Sequence, residues 1–320
     1  ERGFGWCKPS GFNSMVTMQS WMFLSSYEAM REKLLTQRTI QSLVQIGYNS
    51  FPEINSKIAL ACAFSVISST LTNFSGRYIN LNSASQSSNK DELFRGRASN
   101  IIFDISQEII GKIPGKPLAY WLPSQAISAF SARKLQDVGI TRRGLQTGNK
   151  DQFIRYWHEC NVNSMERNYL PRESAIKSDA KWFMFNNGGE FRKWYGNLDL
   201  VVNWESNGRQ LKSFDGAIIP SEDLYFLPAV SWSRLTSGEN AFRQHLQGVL
   251  PGDLSPCYYS ENIDFQIAYL NSKCASYFLN AINPSITAPV GDVAKLPVPL
   301  LSPDSESEIK KRVNQLLSIR

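Results

Sequence analysis

Between positions 142 and 150 the sequence runs Arg-Arg-Gly-Leu-Gln-Thr-Gly-Asn-Lys. Two guanidinium groups, Arg142 and Arg143, precede a Gly-x-x-x-Gly loop (Gly144, Gly148) that carries Gln146, Thr147, Asn149 and Lys150. These residue types suit contact with a polyanion that also presents hydrogen-bonding edges. Glycines let backbone amides approach phosphates closely. Glutamine and asparagine pair with adenine edges, and arginine forks onto guanine. An ordinary glycine turn beside a basic helix end uses the same residues, so both readings stand at this point. A second group is Asn187 with Arg192, Lys193 and Trp194. Asn186-Asn-Gly-Gly-Glu190 is a turn signal flanked by Trp182-Phe183 and Phe191. It predicts a β-hairpin with Arg192, Lys193 and Trp194 near its base and with Trp182, Phe183 and Phe191 in the core. The third group, Ser233-Arg234-Leu-Thr-Ser237-Gly238, offers hydroxyls and a guanidinium before a flexible glycine. That suits phosphate contact, or equally a strand end and turn.

Self-contained catalysis finds little support. His158-Glu159 begins like a zinc-protease motif, but position 162 is Val. His245 is the only other histidine, so a histidine-rich metal site is not expected. Gly111-Lys-Ile-Pro-Gly115-Lys116-Pro117 falls short of a P-loop in spacing and in its last residue. There is no GxGxxG and no GxSxG. Pro303-Asp304 with Glu308 and Lys310 only faintly suggests a metal nuclease. Five scattered cysteines without a CxxC argue for neither a disulfide framework nor a zinc ribbon, and read as reduced, buried thiols.

The elements that must position these groups fall into two kinds. Phe12–Trp21, Thr39–Ile46 and Lys57–Ser69 read as strands, the last covered on both faces. Tyr27–Leu35 reads as a helix capped by Ser25 or Ser26. Residues 1–76 are thus the closing part of an α/β sheet. Residues 77–117, with the polar run 80–90 and Ile113-Pro-Gly-Lys-Pro117, read as a basic connector. A second domain, rich in Trp and Tyr, spans 118–300, with one helix from Asn262 to Ile282 ended by Pro284. Residues 301–320 are predicted to form a closing helix over Glu306–Ile319. The longest apolar run, Ile58–Ile67, is too short to span a bilayer, so no membrane association is expected. No secretory leader is read either, which points to the cytoplasm.

The net charge of +6 has an uneven source. Residues 77–150 hold eleven basic and five acidic side chains, enough to account for the whole surplus. A regional excess of this kind is the footprint of a polyanion or a solvated face. On the first reading Arg142, Arg143 and Lys150 track phosphates.

Several stretches together resemble one family. They are Lys8-Pro-Ser-Gly-Phe-Asn-Ser-Met-Val-Thr-Met-Gln-Ser-Trp-Met-Phe-Leu24, Gly144–Lys150 with Phe153 and Trp157, Asn187-Gly-Gly-Glu-Phe-Arg-Lys-Trp-Tyr-Gly-Asn197, Trp232–Gly238, and Asn283-Pro-Ser-Ile with Gly291-Asp-Val-Ala-Lys-Leu-Pro-Val298. The chain resembles PglX-type adenine-specific DNA methyltransferases of BREX phage-defence systems over nearly its whole length. The family's Asn-Pro-Pro-Tyr motif has no match; Asn283-Pro-Ser-Ile only mimics it. The glycine-rich loop for S-adenosylmethionine has no match either. The chain starts at Glu1 in what reads as the middle of an element. The resemblance therefore implies the last strands of a Rossmann-like methyltransferase sheet followed by a mixed α+β target-recognition domain. It implies double-stranded DNA as partner, S-adenosylmethionine held by residues upstream, and other phage-defence subunits as further partners. Adenine methyltransferases flip their target base, so a second domain must hold the DNA and read it. Sequence choice is expected within 182–245. A stand-alone specificity module, or part of a fused restriction–methylation enzyme, are the alternative readings.

Overall fold

The computed structural model describes residues 2–48, 50–51, 60–82, 89–96, 99–236 and 238–318. Its contacts divide the chain into two units, 1–132 with 281–284, and 133–280 with 285–320.

The first unit is built on a five-stranded sheet of β1 (Phe12–Met18), β2 (Thr39–Gly47), β3 (Ala61–Ile67), β4 (Ser75–Asn80) and β5 (Ile102–Ser106), in the order β1-β3-β2-β4-β5. β2 and β4 are parallel and the other neighbours antiparallel. The helix Glu28–Gln37 turns Leu34 and Leu35 into a core with Trp21, Met22, Phe23, Ile40 and Leu43. The buried Arg31 anchors that helix, donating to the carbonyls of Trp21, Leu24 and Gly115.

Four expectations change here. Ser25 and Ser26 do not cap the helix by side chain; Ser25–Tyr27 form a 3-10 turn that feeds it directly. β3 is not covered on both faces, because Ala63, Phe64 and Ser65 are only half-buried between buried ends; residues 57–59 of the expected strand lie outside the described residues. The stretch 77–117 is not merely a connector, since β4 and β5 extend the sheet within it. Residue 118 is not a boundary: Tyr120 is buried and stacks on Tyr78 of β4 with ring centroids 4.9 Å apart. The polar composition of 80–90 misled because the buried Tyr78, just before it, carries the packing.

The second unit contains two sheets. One has β7 (Ile154–Tyr156), β8 (Met165–Glu166), β9 (Trp182–Asn186), β10 (Leu200–Asn203) and β13 (Leu250–Pro251) in the order β13-β9-β10-β7, with β8 also on β9. The other has β6 (Ile140–Arg142), β11 (Ala229–Trp232), β12 (Phe242–His245) and β14 (Cys257–Tyr259) in the order β12-β11-β14-β6, all antiparallel. Successive residues of a strand point to opposite faces. Accordingly Phe183 and Phe185 of β9 join one core with Phe153, Trp204, Tyr225 and Phe226, while Met184 joins another with Val201 and Val249.

The predicted tight hairpin after β9 is not formed. β9 does pair antiparallel with β10, but residues 187–199 intervene as a long loop. Gly188 and Gly189 adopt positive φ at its start, and it carries Phe191 away from the core into solvent. The single helix expected over 262–282 is broken in two, Ile263–Leu270 and Lys273–Ile282. Asn271 at the break donates to the Phe242 carbonyl and accepts from the Phe242 amide, and its side chain also donates to the Ile267 carbonyl of the last helical turn, so it ties the helix end to a strand end. The closing helix runs Pro303–Leu317, with Ser302 as its cap. Of the cysteines, Cys62 and Cys257 are buried, whereas Cys274 is exposed. Among the described residues no helix is long and apolar enough to cross a membrane.

Candidate nucleic-acid interface

The 142–150 segment leaves β6 and enters the second unit's core region. Gly144 lies against the carbonyl of Pro251 so closely that a Cβ would sit 2.2 Å from that oxygen. Gly148 has φ +69° and would place a Cβ 2.3 Å from the Gly216 carbonyl. The missing side chains are thus used for contact with protein backbone. Gln146 makes a two-way backbone bridge to Ile218, at 2.8 and 2.9 Å. Thr147 is buried. Asn149 caps the helical turn Lys150–Phe153 through its Oδ1, which accepts from the Gln152 amide at 3.1 Å. Lys150 is exposed.

Three segments converge on one concavity of about 310 Å³. It is lined by Gln146, Thr147, Gly148 and Lys150 from the first segment, Asn187 from the end of β9, and Asp253 after β13. The parallel pairing of β13 with β9 aligns these ends. Arg143 and Arg234 are both held by Asp253. Oδ1 accepts from Arg143 Nε at 2.7 Å and lies 2.5 Å from its Nη2, while Oδ2 lies 2.9 Å from Arg234 Nη2. The Asp253 side chain is 9% exposed and that of Arg143 49%, so the carboxylate is the floor and the guanidinium faces outward. Among the described residues Arg142 has no such clamp; it donates to the carbonyl of its neighbour Thr141, at 2.9 Å.

A second cluster lies along the 187–199 loop. Arg192 is exposed, and Lys193 places its Nζ 5.7 Å from the centroid of the exposed Phe191 ring. Trp194, at φ +73°, bridges β12 through backbone bonds with Phe242 and Gln244. Ser233 donates to the Gly189 carbonyl and accepts from Arg243 Nη2. Arg243 is fully buried, and its Nε and Nη1 find no partner among the described residues. Burial pulls its guanidinium down to about 10, and the like charge of Arg192 pulls the same way. Ser237 lies outside the described residues.

The basic block 77–150 is divided between the two units, and several of its members are already neutralised. Arg77 pairs with Asp104, Arg95 with Asp91 and Lys116 with Glu32. Asp253 and Arg243 were not singled out from sequence. An acid in a basic region lowers a charge count, and a lone arginine in a strand carries no motif. The only signal for Asp253 was the turn-forming Pro251-Gly252-Asp253. A larger hollow of about 680 Å³, lined by Arg133, Tyr259, Phe265, Gln266 and Leu300 among others, collects none of the expected residues. Among the described residues no three His, Cys, Asp or Glu side chains are grouped to hold a metal ion.

Against known proteins, no family model matches the chain. A solved structure of the Type IIL restriction-modification enzyme MmeI in complex with DNA shares its fold, with a TM-score of 0.58 at 10% identity over 97% of this chain and 42% of that one. The fold agrees with the expected class, a Rossmann-like α/β part followed by a mixed α+β part. Among curated proteins the chain is 31% identical over 307 residues to the adenine-specific methyltransferase PglX of Lacticaseibacillus casei (strain Zhang), covering 91% of this chain and 25% of that protein. It is also 31% identical over 305 residues to the adenine-specific methyltransferase BrxX of Escherichia coli O9:H4 (strain HS), covering 93% and 24%. The chain belongs to this PglX-type family of adenine-specific methyltransferases and spans about a quarter of the length of the curated relatives it matches.

Proposed function

We propose that this chain is the DNA-recognising, C-terminal part of a site-specific adenine methyltransferase acting in BREX phage defence in the cytoplasm. The observation that carries this reading is the concavity where Gln146, Thr147, Lys150, Asn187 and Asp253 meet. It collects, from three separate segments, the amide and charged groups able to engage base edges and phosphates. The DNA complex of the fold relative MmeI supports the same partner. Asn149 serves the site indirectly by capping the turn that presents Lys150. Arg192, Lys193, Trp194, Ser233, Arg234 and Ser237 extend the contact along the duplex, with Arg192 and Lys193 on phosphates.

S-adenosylmethionine, the methyl donor that this family implies, does not fit here. Asp253, the carboxylate that lines the concavity beside the Gly144–Gly148 loop, is occupied by two arginines and is not free for a ribose hydroxyl. We assign cofactor binding and methyl transfer to other parts of the enzyme, and derive no chemical step from this chain.

Double-stranded DNA binding is tested by titrating duplexes at several salt concentrations. Arg142→Ala and Lys150→Ala are each expected to weaken binding to all sequences alike. Each should also flatten the plot of log affinity against log salt by about 0.9. Unchanged slopes in both variants would return these side chains to an ordinary solvated face.

A further inference from the structure

We infer that Asp253 is a positioning residue that converts Arg143 from a phosphate contact into a reader of guanine. The inference rests on the DNA-binding reading above and goes further, because it assigns one residue to one kind of base.

The geometry is specific about which edge of the guanidinium is taken. Nε and Nη2 of Arg143 both face Asp253 Oδ1, at 2.7 and 2.5 Å. A guanidinium presents two two-pronged edges, a side edge of Nε with Nη2 and an end edge of Nη1 with Nη2. Asp253 occupies the side edge. With the side edge held, the end fork points away from the carboxylate, and among the described residues Nη1 finds no acceptor. That fork matches the O6 and N7 acceptors of guanine in the major groove.

Two further facts favour a base over a phosphate. Arg143 and Arg234 share a single carboxylate, so the trio carries one net positive charge instead of two. A phosphate contact works through net charge and counterion release, which this arrangement halves. Base readout instead needs a guanidinium plane held at a fixed angle, which a buried carboxylate supplies. Asp253 is itself immobilised, with its amide on the Leu145 carbonyl at 3.0 Å and its Oδ2 held by Arg234. The neighbours around the concavity, Gln146 and Asn187, are likewise residues that pair with bases. Arg142, one position earlier, has no carboxylate partner among the described residues and stays a charge contact.

The test is binding of the purified protein to a randomised duplex library at fixed salt, read as preference at each base pair, together with salt titrations on an unrelated duplex. Arg143→Lys keeps the charge but cannot fork. It should lose preference at a single G·C pair by about tenfold to a hundredfold while leaving the salt slope unchanged. Asp253→Asn, nearly isosteric, should weaken preference at that same pair and strengthen binding to the unrelated duplex, because one negative charge is gone. Preference retained in Arg143→Lys, or an Arg143→Gln variant that weakens every duplex equally and flattens the slope by about 0.9, would make Arg143 a phosphate contact and overturn the proposal. Preference at that pair unchanged in a folded Asp253→Asn would remove Asp253 from the readout. Should Asp253→Asn fail to fold by circular dichroism, the lysine variant decides alone. A wild-type protein without preference for any duplex would instead overturn the DNA-reading function, and this inference with it.

Discussion

Arg143 and Arg234 lie far apart in the sequence and meet on one carboxylate. As single residues they are two cations. Together with Asp253 they form a fixed array whose outward edge is defined. The same lesson applies to His245, which sequence presents only as a spare histidine. It is fully buried, with Nε2 at 3.1 Å from the Val249 carbonyl and Nδ1 without a partner among the described residues. Burial lowers its pKa to about 4, below the unfolded value near 6.5. A depressed folded pKa means that the unfolded chain takes up the proton first. The stability this ring provides is whole above pH 6.5 and is lost as pH falls toward 4. By pH 5 the loss should be about 2 kcal/mol. Denaturant unfolding at pH 7 and pH 5, in wild type and in His245→Gln, measures it: the drop specific to this site disappears in the variant. An equal drop in both would assign the pH effect to other groups.

The loops, more than the strands, decide what the elements do. Gly144 and Gly148 bracket a segment that is threaded between Pro251 and Gly216 with no room for a Cβ. Gly148 is the sharper case because its φ of +69° also disfavours any L side chain. Gly148→Ala is expected to lower stability by about 1–3 kcal/mol, from the backbone conformation together with the clash. It should also abolish the concavity, so DNA affinity falls although no polar group has been removed. Thermal unfolding and duplex binding read the two effects side by side; a variant as stable as wild type would mean that the loop yields easily. The 187–199 loop poses the opposite case. Its glycines do not close a tight hairpin, because the partner of β9 is reached only at Leu200. The loop instead carries Phe191 and Lys193 out and ties Trp194 to β12.

At the scale of the molecule the concavity draws on 145–150 and 253–254 as well as on 185–187. Sequence choice confined to 182–245 would leave out Arg143 and Asp253. We therefore expect that transplanting 182–245 from a relative with another target, into the intact enzyme, transfers only part of the new preference. Transplanting 133–280 with 285–320, the whole second unit, should transfer it entirely. Methylome sequencing of cells carrying each chimera reports the modified site. An active 182–245 chimera that adopts the complete new target would place the reader in that segment alone.

The sequence by itself determined what depends on neighbours along the chain. The strands at 12–18, 39–47 and 61–67, the helices near 28–37 and 303–317, and the clustering of Gln, Asn, Arg and Gly at 142–150 were legible because periodicity, caps and residue chemistry are local properties. So was the family, since the GGEFRKWYGN string at 188–197 is long and specific. What only the tertiary structure decided depends on partners that no spacing announces. β4 and β5 joined the first sheet because a buried Tyr78 outweighs a polar surrounding run. The helix expected over 262–282 breaks at Asn271, whose side chain ties the end of the first helix to Phe242 of β12. Asp253 gained its meaning from two arginines that approach from different segments, for a charge count records how many charges are present and not which edge of a guanidinium each one holds.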